Sequence, residues 1–124
     1  MIDKISRITL YVDNQQQAKK FWVNQIGFEL KFEKDMGQQI TWLEVGPKNH
    51  DTTFVLYDKE LMKKMNSTTC VDHSSIILSC EDIEKEHQRM KDNNIKVNDI
   101  QVMPYGKIFV FYDQEGNDYL LREE

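Results

Sequence analysis

Four side chains have chemistry that asks for a reason: Arg7, Glu44, His73 and Asp118, together with the aromatic pair Trp42 and Tyr57. An arginine offers only donors and a fixed positive charge, so it either clamps a carboxylate or phosphate or pairs with an acid of its own chain. Glu44 is the nearest candidate partner for Arg7. If the two pair, the surroundings are self-satisfied and favour a neutral ligand; if Glu44 points elsewhere, Arg7 is an anion clamp. One histidine and two carboxylates, His73, Glu44 and Asp118, make a set chemically adequate for zinc, manganese or nickel, although Arg7 would repel the cation. Trp42 and Tyr57 are suited to stacking on a flat or cationic ligand, a contact worth about 0.5–2 kcal/mol, or equally to filling space between sheets. No nucleophile, base and orienting residue stand at a recognisable spacing, so no reaction is assigned.

Three remaining groups read as structural. His50 sits in the polar loop GPKNHD and is expected to be solvated. His87 lies on a helical stripe, where a satisfied, half-buried imidazole is expected. Cys70 and Cys80 form no C-x-x-C spacing and read as ordinary reduced thiols.

The elements that must position these groups follow from periodicity. ISRITLYV, residues 5–12, alternates Ile8, Leu10 and Val12 with Arg7, Thr9 and Tyr11, the pattern of a strand covered on one face. Asn14 offers a helix N-cap, and Ala18, Phe21, Trp22 and Ile26 share one face of the helix that Gly27 ends. Strands are predicted in FELKFE from Phe28, ITWLEV from Ile40 and TTFVLY from Thr52. The order then repeats: strand SSIILSC over residues 74–80, a helix capped by Asp82 with Ile83, His87 and Met90 on one stripe, a stop at Asn93 and Asn94, and strands around IKVNDIQVM, KIFVFYD and DYLLRE. Each half is βαβββ.

One such unit leaves a sheet face uncovered, so two in one chain are expected to cover each other and leave a cleft. The domain expectation is a single domain over residues 1–124, made of a first module at about 1–60, a connector at 61–73 and a second module at 74–124. In the connector, Leu61, Met62 and Met65 can make one amphipathic turn. By strand parity Arg7, Thr9, Tyr11, Trp42, Glu44, Val55, Tyr57, Ser75, Ile77, Ser79, Asp118, Leu120 and Arg122 face the cleft.

YVDNQQQAKKFWVNQIGFEL in the first half and FYDQEGNDYLL in the second resemble the vicinal oxygen chelate superfamily, which takes in glyoxalase I, bleomycin-resistance proteins, fosfomycin-modifying enzymes and extradiol dioxygenases. The carrying signals are Phe21 and Trp22 shortly before Gly27 and Phe28, and the Asp-x-x-Gly-Asn turn over residues 113–117, with Gln114 where proline is common. The resemblance implies an α+β fold of two βαβββ modules with a cleft between curved mixed sheets. It also implies that metal-using members hold an ion with histidine or glutamine on the first strand and glutamate on the fourth strand of each module. Those positions fall here on Arg7, Val55, Ser75 and Leu120, none a usual metal ligand. On the final strand Leu120 is therefore expected to pack rather than to coordinate.

Composition narrows the classes further. The 124 residues carry 40% hydrophobic side chains, enough for one core, and a net charge of -5 without a basic face, which argues against nucleic acid. No apolar run is long enough to cross a bilayer, and the opening MIDKISRITLYV lacks the pattern of a secretion signal, so a cytoplasmic protein without membrane association is expected. The leading expectation is a glyoxalase/bleomycin-resistance-like protein that binds a small molecule without metal or other cofactor, through Arg7, Tyr11, Trp42, Glu44, Tyr57, Ser75 and Leu120, as a homodimer. The alternatives are a divalent-metal lyase, isomerase or dioxygenase with displaced ligands, and a structural or regulatory protein with no open cleft.

Overall fold

The computed structural model describes residues 1–124. The chain divides into two compact units, Met1–His73 and Ser74–Glu124. The first contains β1 (Arg7–Val12), α1 (Gln15–Lys20) running into a π-helix (Phe21–Ile26), β2 (Glu29–Asp35), β3 (Thr41–Gly46), β4 (Thr53–Asp58) and α2 (Lys59–Met65); the second contains β5 (Ile77–Cys80), α3 (Ile83–Asp92), β6 (Gln101–Met103), β7 (Gly106–Tyr112) and β8 (Asp118–Glu123). The sheets run β1-β4-β3-β2 and β5-β8-β7-β6. In each the first strand pairs in parallel with the last and the other pairs are antiparallel. The βαβββ repeat expected from the sequence is thus present twice.

In the first unit Leu10, Val12, Leu43, Val45, Phe54 and Leu56 are buried together with Ala18, Phe21, Trp22 and Ile26. The helix departs from simple α periodicity. Asn14 caps it, its Oδ1 accepting from the Gln17 amide at 3.0 Å, but from Phe21 the backbone widens to a π-helix whose last bond runs from Gly27 N to Trp22 O at 3.1 Å. Phe21, Trp22 and Ile26 of this i→i+5 segment are all buried. Trp22 then meets Phe54 edge-on at 5.0 Å and stacks on Phe28 at 5.2 Å. Gly27 closes the helix at φ 98°, a conformation glycine adopts without Cβ strain. Gln15 ties helix to sheet, donating from Nε2 to the carbonyls of Thr41 and Leu56 at 2.9 and 2.8 Å.

In the second unit Ile83 and Met90 of α3 are buried, as are Phe109, Phe111, Tyr119 and Leu121 of the sheet. His87 is half-buried between them, 2.8 Å from the Asn98 carbonyl through Nε2 and edge-on to Phe109 at 4.9 Å. Two strands are shorter than periodicity predicts. The strand expected over residues 74–80 begins only at Ile77, opposite Leu120 of β8, and the last bond toward the preceding residues is Leu120 N to Ile76 O at 3.1 Å. Ser75 therefore lies outside the strand and is exposed. IKVNDIQVM contributes only β6 and an isolated bridge from Val97 to Phe111. The connector holds α2, capped by Asp58 through the Leu61 amide at 3.0 Å.

The β7–β8 turn is held by one buried carboxylate. Asp113 Oδ1 accepts from the amides of Glu115 and Asn117 at 2.9 and 3.0 Å, while Oδ2 accepts from the Asn117 amide group at 3.1 Å and from the Tyr119 hydroxyl at 2.7 Å. Gly116 supplies the positive φ, 83°, that the tight return needs. Asp113→Ala is expected to destabilise the protein by about 2–4 kcal/mol, because it strands a buried hydroxyl and two turn amides. Urea unfolding of D113A, Tyr119→Phe and the double variant checks this; the cycle should return a coupling energy of about 1–2 kcal/mol.

Candidate functional site

The register of the first sheet assembles the site. Arg7 lies opposite Thr53 and Thr9 opposite Val55, and Glu44 pairs with both Val55 and Phe32. One face of the sheet, the one turned from α1, thus carries Arg7, Phe32, Trp42, Glu44, Thr53 and Val55. Glu44 is its centre. Its Oε2 accepts from Arg7 Nε at 3.0 Å and from Trp42 Nε1 at 2.7 Å, and its Oε1 accepts from the Thr53 hydroxyl at 2.7 Å. The Glu44 side chain is only 9% exposed, the Arg7 side chain 53%. Burial by itself pushes the Glu44 carboxyl upward, but the donors of Trp42, Thr53 and Arg7 and the Arg7 charge outweigh it and hold the group below the usual carboxylate range. Of the alternatives open in the sequence, Arg7 and Glu44 pair.

A recess of about 720 Å³ opens beside this network, lined by Arg7, Lys31, Phe32, Met36, Trp42 and Glu44. Its rim is apolar and exposed, with Phe32 at 44% and Met36 at 55%. Arg7, Trp42 and Glu44 were expected at a site and are brought together here. Tyr57 stands behind them, edge-on to Trp42 and to Tyr11, both at 6.2 Å, its hydroxyl 3.5 Å from Met65 Sδ. Tyr11 and Tyr57 are therefore support for the recess rather than lining. Ser75 and Leu120 belong to the second unit and do not line it.

Lys31, Phe32 and Met36 escaped the sequence reading because β2 is exposed along most of its length and carries a register shift between Leu30 and Phe32, which hides its parity. Thr53 was legible: it shares the parity of Val55 and Tyr57.

The positions where the resemblance places metal ligands do not fit a divalent ion. Arg7 offers no lone pair and its Nε is committed to Glu44, Val55 is a buried hydrocarbon, Leu120 is a hydrocarbon, and Ser75 is exposed outside its strand. Glu44, proposed as a displaced ligand with His73 and Asp118, has both oxygens occupied by donors. The same occupancy and its lowered pKa leave it poorly placed to take a proton as a general base. Asp82, Glu84 and Glu123 approach one another in the second unit, but Asp82 caps α3, Glu84 binds Lys107 at 2.7 Å and Glu123 accepts from the Ile83 amide at 3.0 Å. The Cys80 thiol is pushed up to about 11 by burial and then by Glu86, Glu123 and Asp82, which leaves it protonated at neutral pH. His50 is exposed in its loop.

Two repeated modules with parallel β1–β4 and β5–β8 pairs, and a match to the Glyoxalase/Bleomycin resistance protein/Dioxygenase superfamily over residues 4–119, place this chain in that superfamily. Among its relatives is the Bacillus subtilis (strain 168) protein described as Uncharacterized protein YetH, 36% identical over 99% of this chain and 100% of that one. The crystal structure of TnmS3, an antibiotic binding protein from Streptomyces sp. CB03234, superposes with a TM-score of 0.84 at 26% identity, covering 98% of this chain and 96% of that one. A superfamily member from Sphaerobacter thermophilus DSM 20745 shares the fold at a TM-score of 0.87 and 24% identity, covering 99% and 98%.

The lowered Glu44 pKa has a definite sign in stability. Because the folded value lies below the unfolded one, the carboxylate contributes stability above the unfolded pKa of about 4.3 and loses it as pH falls through the folded value. Glu44→Gln can keep a carbonyl toward Arg7 and Trp42 and an amide toward the Thr53 oxygen, so it should fold, with a loss of about 1–2 kcal/mol at pH 7. Urea unfolding across pH should find this difference shrinking as pH drops below about 4.

Proposed function

We propose that this protein binds a small organic molecule in the recess beside Glu44 and does so without a metal ion. The single observation that carries the reading is the buried Glu44 carboxylate spent on Arg7, Trp42 and Thr53, which makes a fixed polar wall next to an apolar mouth. Ligand sites are commonly this combination of apolar surface and a few oriented polar groups. The likeness to TnmS3, which is an antibiotic binding protein, supports the same reading, and the unsuitable side chains at Arg7, Val55, Ser75 and Leu120 favour it over metal-dependent catalysis.

In this proposal the two modules act as one domain of a cytoplasmic protein, with Tyr11 and Tyr57 bracing Trp42. No helix is long and apolar enough to cross a membrane. The protein pairs as a homodimer: Ile77 is 66% exposed on β5, the end strand of its sheet, and a second copy would remove that apolar surface from water. Ser75 and Leu120, on the second unit, are then contacts that a ligand or partner reaches from elsewhere than the recess.

A ligand present at 100 times its Kd should stabilise the protein by about 2.7 kcal/mol, and the rise in Tm should be the same with and without a chelator. Tryptophan emission should respond in wild type and fade in Trp42→Phe. Stoichiometric metal in the purified protein, with the Tm shift abolished by chelation, would refute the metal-independent reading. Sedimentation of Ile77→Asp should give a lighter species than wild type if the homodimer forms.

A further inference from the structure

We propose that the recess selects a flat, apolar molecule bearing a carboxylate or comparable anionic oxygen, and discriminates against cations. This inference rests on the reading of the recess as a ligand site and assigns the ligand's chemistry.

The lining offers donors and almost no acceptors. Of the roughly four lone-pair positions of the Glu44 carboxylate, three are filled by Arg7, Trp42 and Thr53. The indole N–H of Trp42 is consumed by the same carboxylate, so this ring presents only its apolar surface. Phe32 and Met36 add no strong acceptor. The polar groups with capacity left are cationic: the Nη edge of Arg7 and the ammonium of Lys31. Lys31 is held only at the surface, its Nζ 3.4 Å from Glu29 Oε2 and 3.2 Å from the Lys48 carbonyl. Each cation already faces one carboxylate, Arg7 with Glu44 and Lys31 with Glu29, so what the recess offers a ligand is unspent donors rather than a net positive charge.

Arg7 is also oriented in advance. Its Nε–H is engaged by Glu44, which restrains the guanidinium and leaves the Nη edge of a half-exposed side chain as its remaining donors. A second carboxylate can meet that edge in the forked geometry guanidinium favours. Glu44 is thus a positioning residue, acting on a ligand through Arg7. Aromatic faces at Phe32 and Trp42 attract cations only weakly at an exposed site, and the lining gives an ammonium few acceptors to donate to.

The test uses three probes with one ring system: 2-naphthoate, methyl 2-naphthoate and 2-naphthylmethylammonium, titrated calorimetrically into the full-length protein at pH 7 and low salt. Wild type should bind the carboxylate about tenfold or more tightly than the ammonium, with the ester between them. Arg7→Gln should cost the carboxylate about tenfold and the ester less than about threefold; Arg7→Lys, which keeps the charge but not the fork, should fall between. Glu44→Gln should weaken carboxylate binding without reversing the order of the probes. An ammonium that binds as tightly as the carboxylate in wild type, or a carboxylate affinity unchanged in R7Q, overturns this inference and leaves a binding recess standing. Absence of binding by all three probes overturns both. The wild-type ranking decides the matter even if a variant fails to fold.

Discussion

One nearly buried carboxylate organises the first module. An unpaired charge at Glu44 would be costly to bury; it is tolerable because an indole, a hydroxyl and a guanidinium from β3, β4 and β1 converge on its two oxygens. Each donor is fixed in turn. Trp42 is braced edge-on by Tyr57, and Thr53 is buried in the strand paired with Arg7. The interaction therefore ties three strands together on the face that α1 leaves uncovered, and it turns the only exposed member of the network, Arg7, into an oriented donor.

The two modules share topology but divide the chemistry. Their registers are equivalent: Thr9 and Glu44 flank Val55 as Ile77 and Val110 flank Leu120. Carried two residues along the strands, the same correspondence sets Trp42 against Ile108 and Arg7 against Ser75. The first module's open face thus bears Glu44 and Trp42 of a charged hydrogen-bond network where the second bears the aliphatic Val110 and Ile108. The second module instead spends its buried carboxylate on its own architecture, since Asp113 closes the β7–β8 turn and receives the Tyr119 hydroxyl. Burial and these acidic neighbours drive the Tyr119 hydroxyl strongly upward, so it remains a donor at any ordinary pH.

Family membership, by contrast, speaks mainly to the frame. The superfamily hosts enzymes and binders on one architecture, and only side chains at particular register positions separate them. Here those positions hold Arg7, Val55, Ser75 and Leu120, whose chemistry is at odds with cation binding, while the neighbouring Glu44 is engaged by donors.

Much of this was legible in the amino-acid order, because local physics decides it. Alternation placed Leu10 and Val12 against the helix and Arg7 on the other face, Asn14 and Asp82 marked helix starts, and Asp-x-x-Gly-Asn marked the last turn. His87 was recognisable as a packed, bonded imidazole from its place on the α3 stripe. Other features depend on neighbours distant in sequence. The π-helix over Phe21–Ile26 and the late start of β5 at Ile77 are two of them. Pairing of Arg7 with Glu44, across 37 residues, was one of two outcomes the sequence allowed, and strand register decided it. Lys31 and Phe32 line the recess from β2, whose register shifts between Leu30 and Phe32, and Met36 from the residue that follows it. Sequence alone determined which residues alternate, cap and turn, since those follow from backbone geometry; which charges meet and which surfaces enclose a space depended on strands brought side by side.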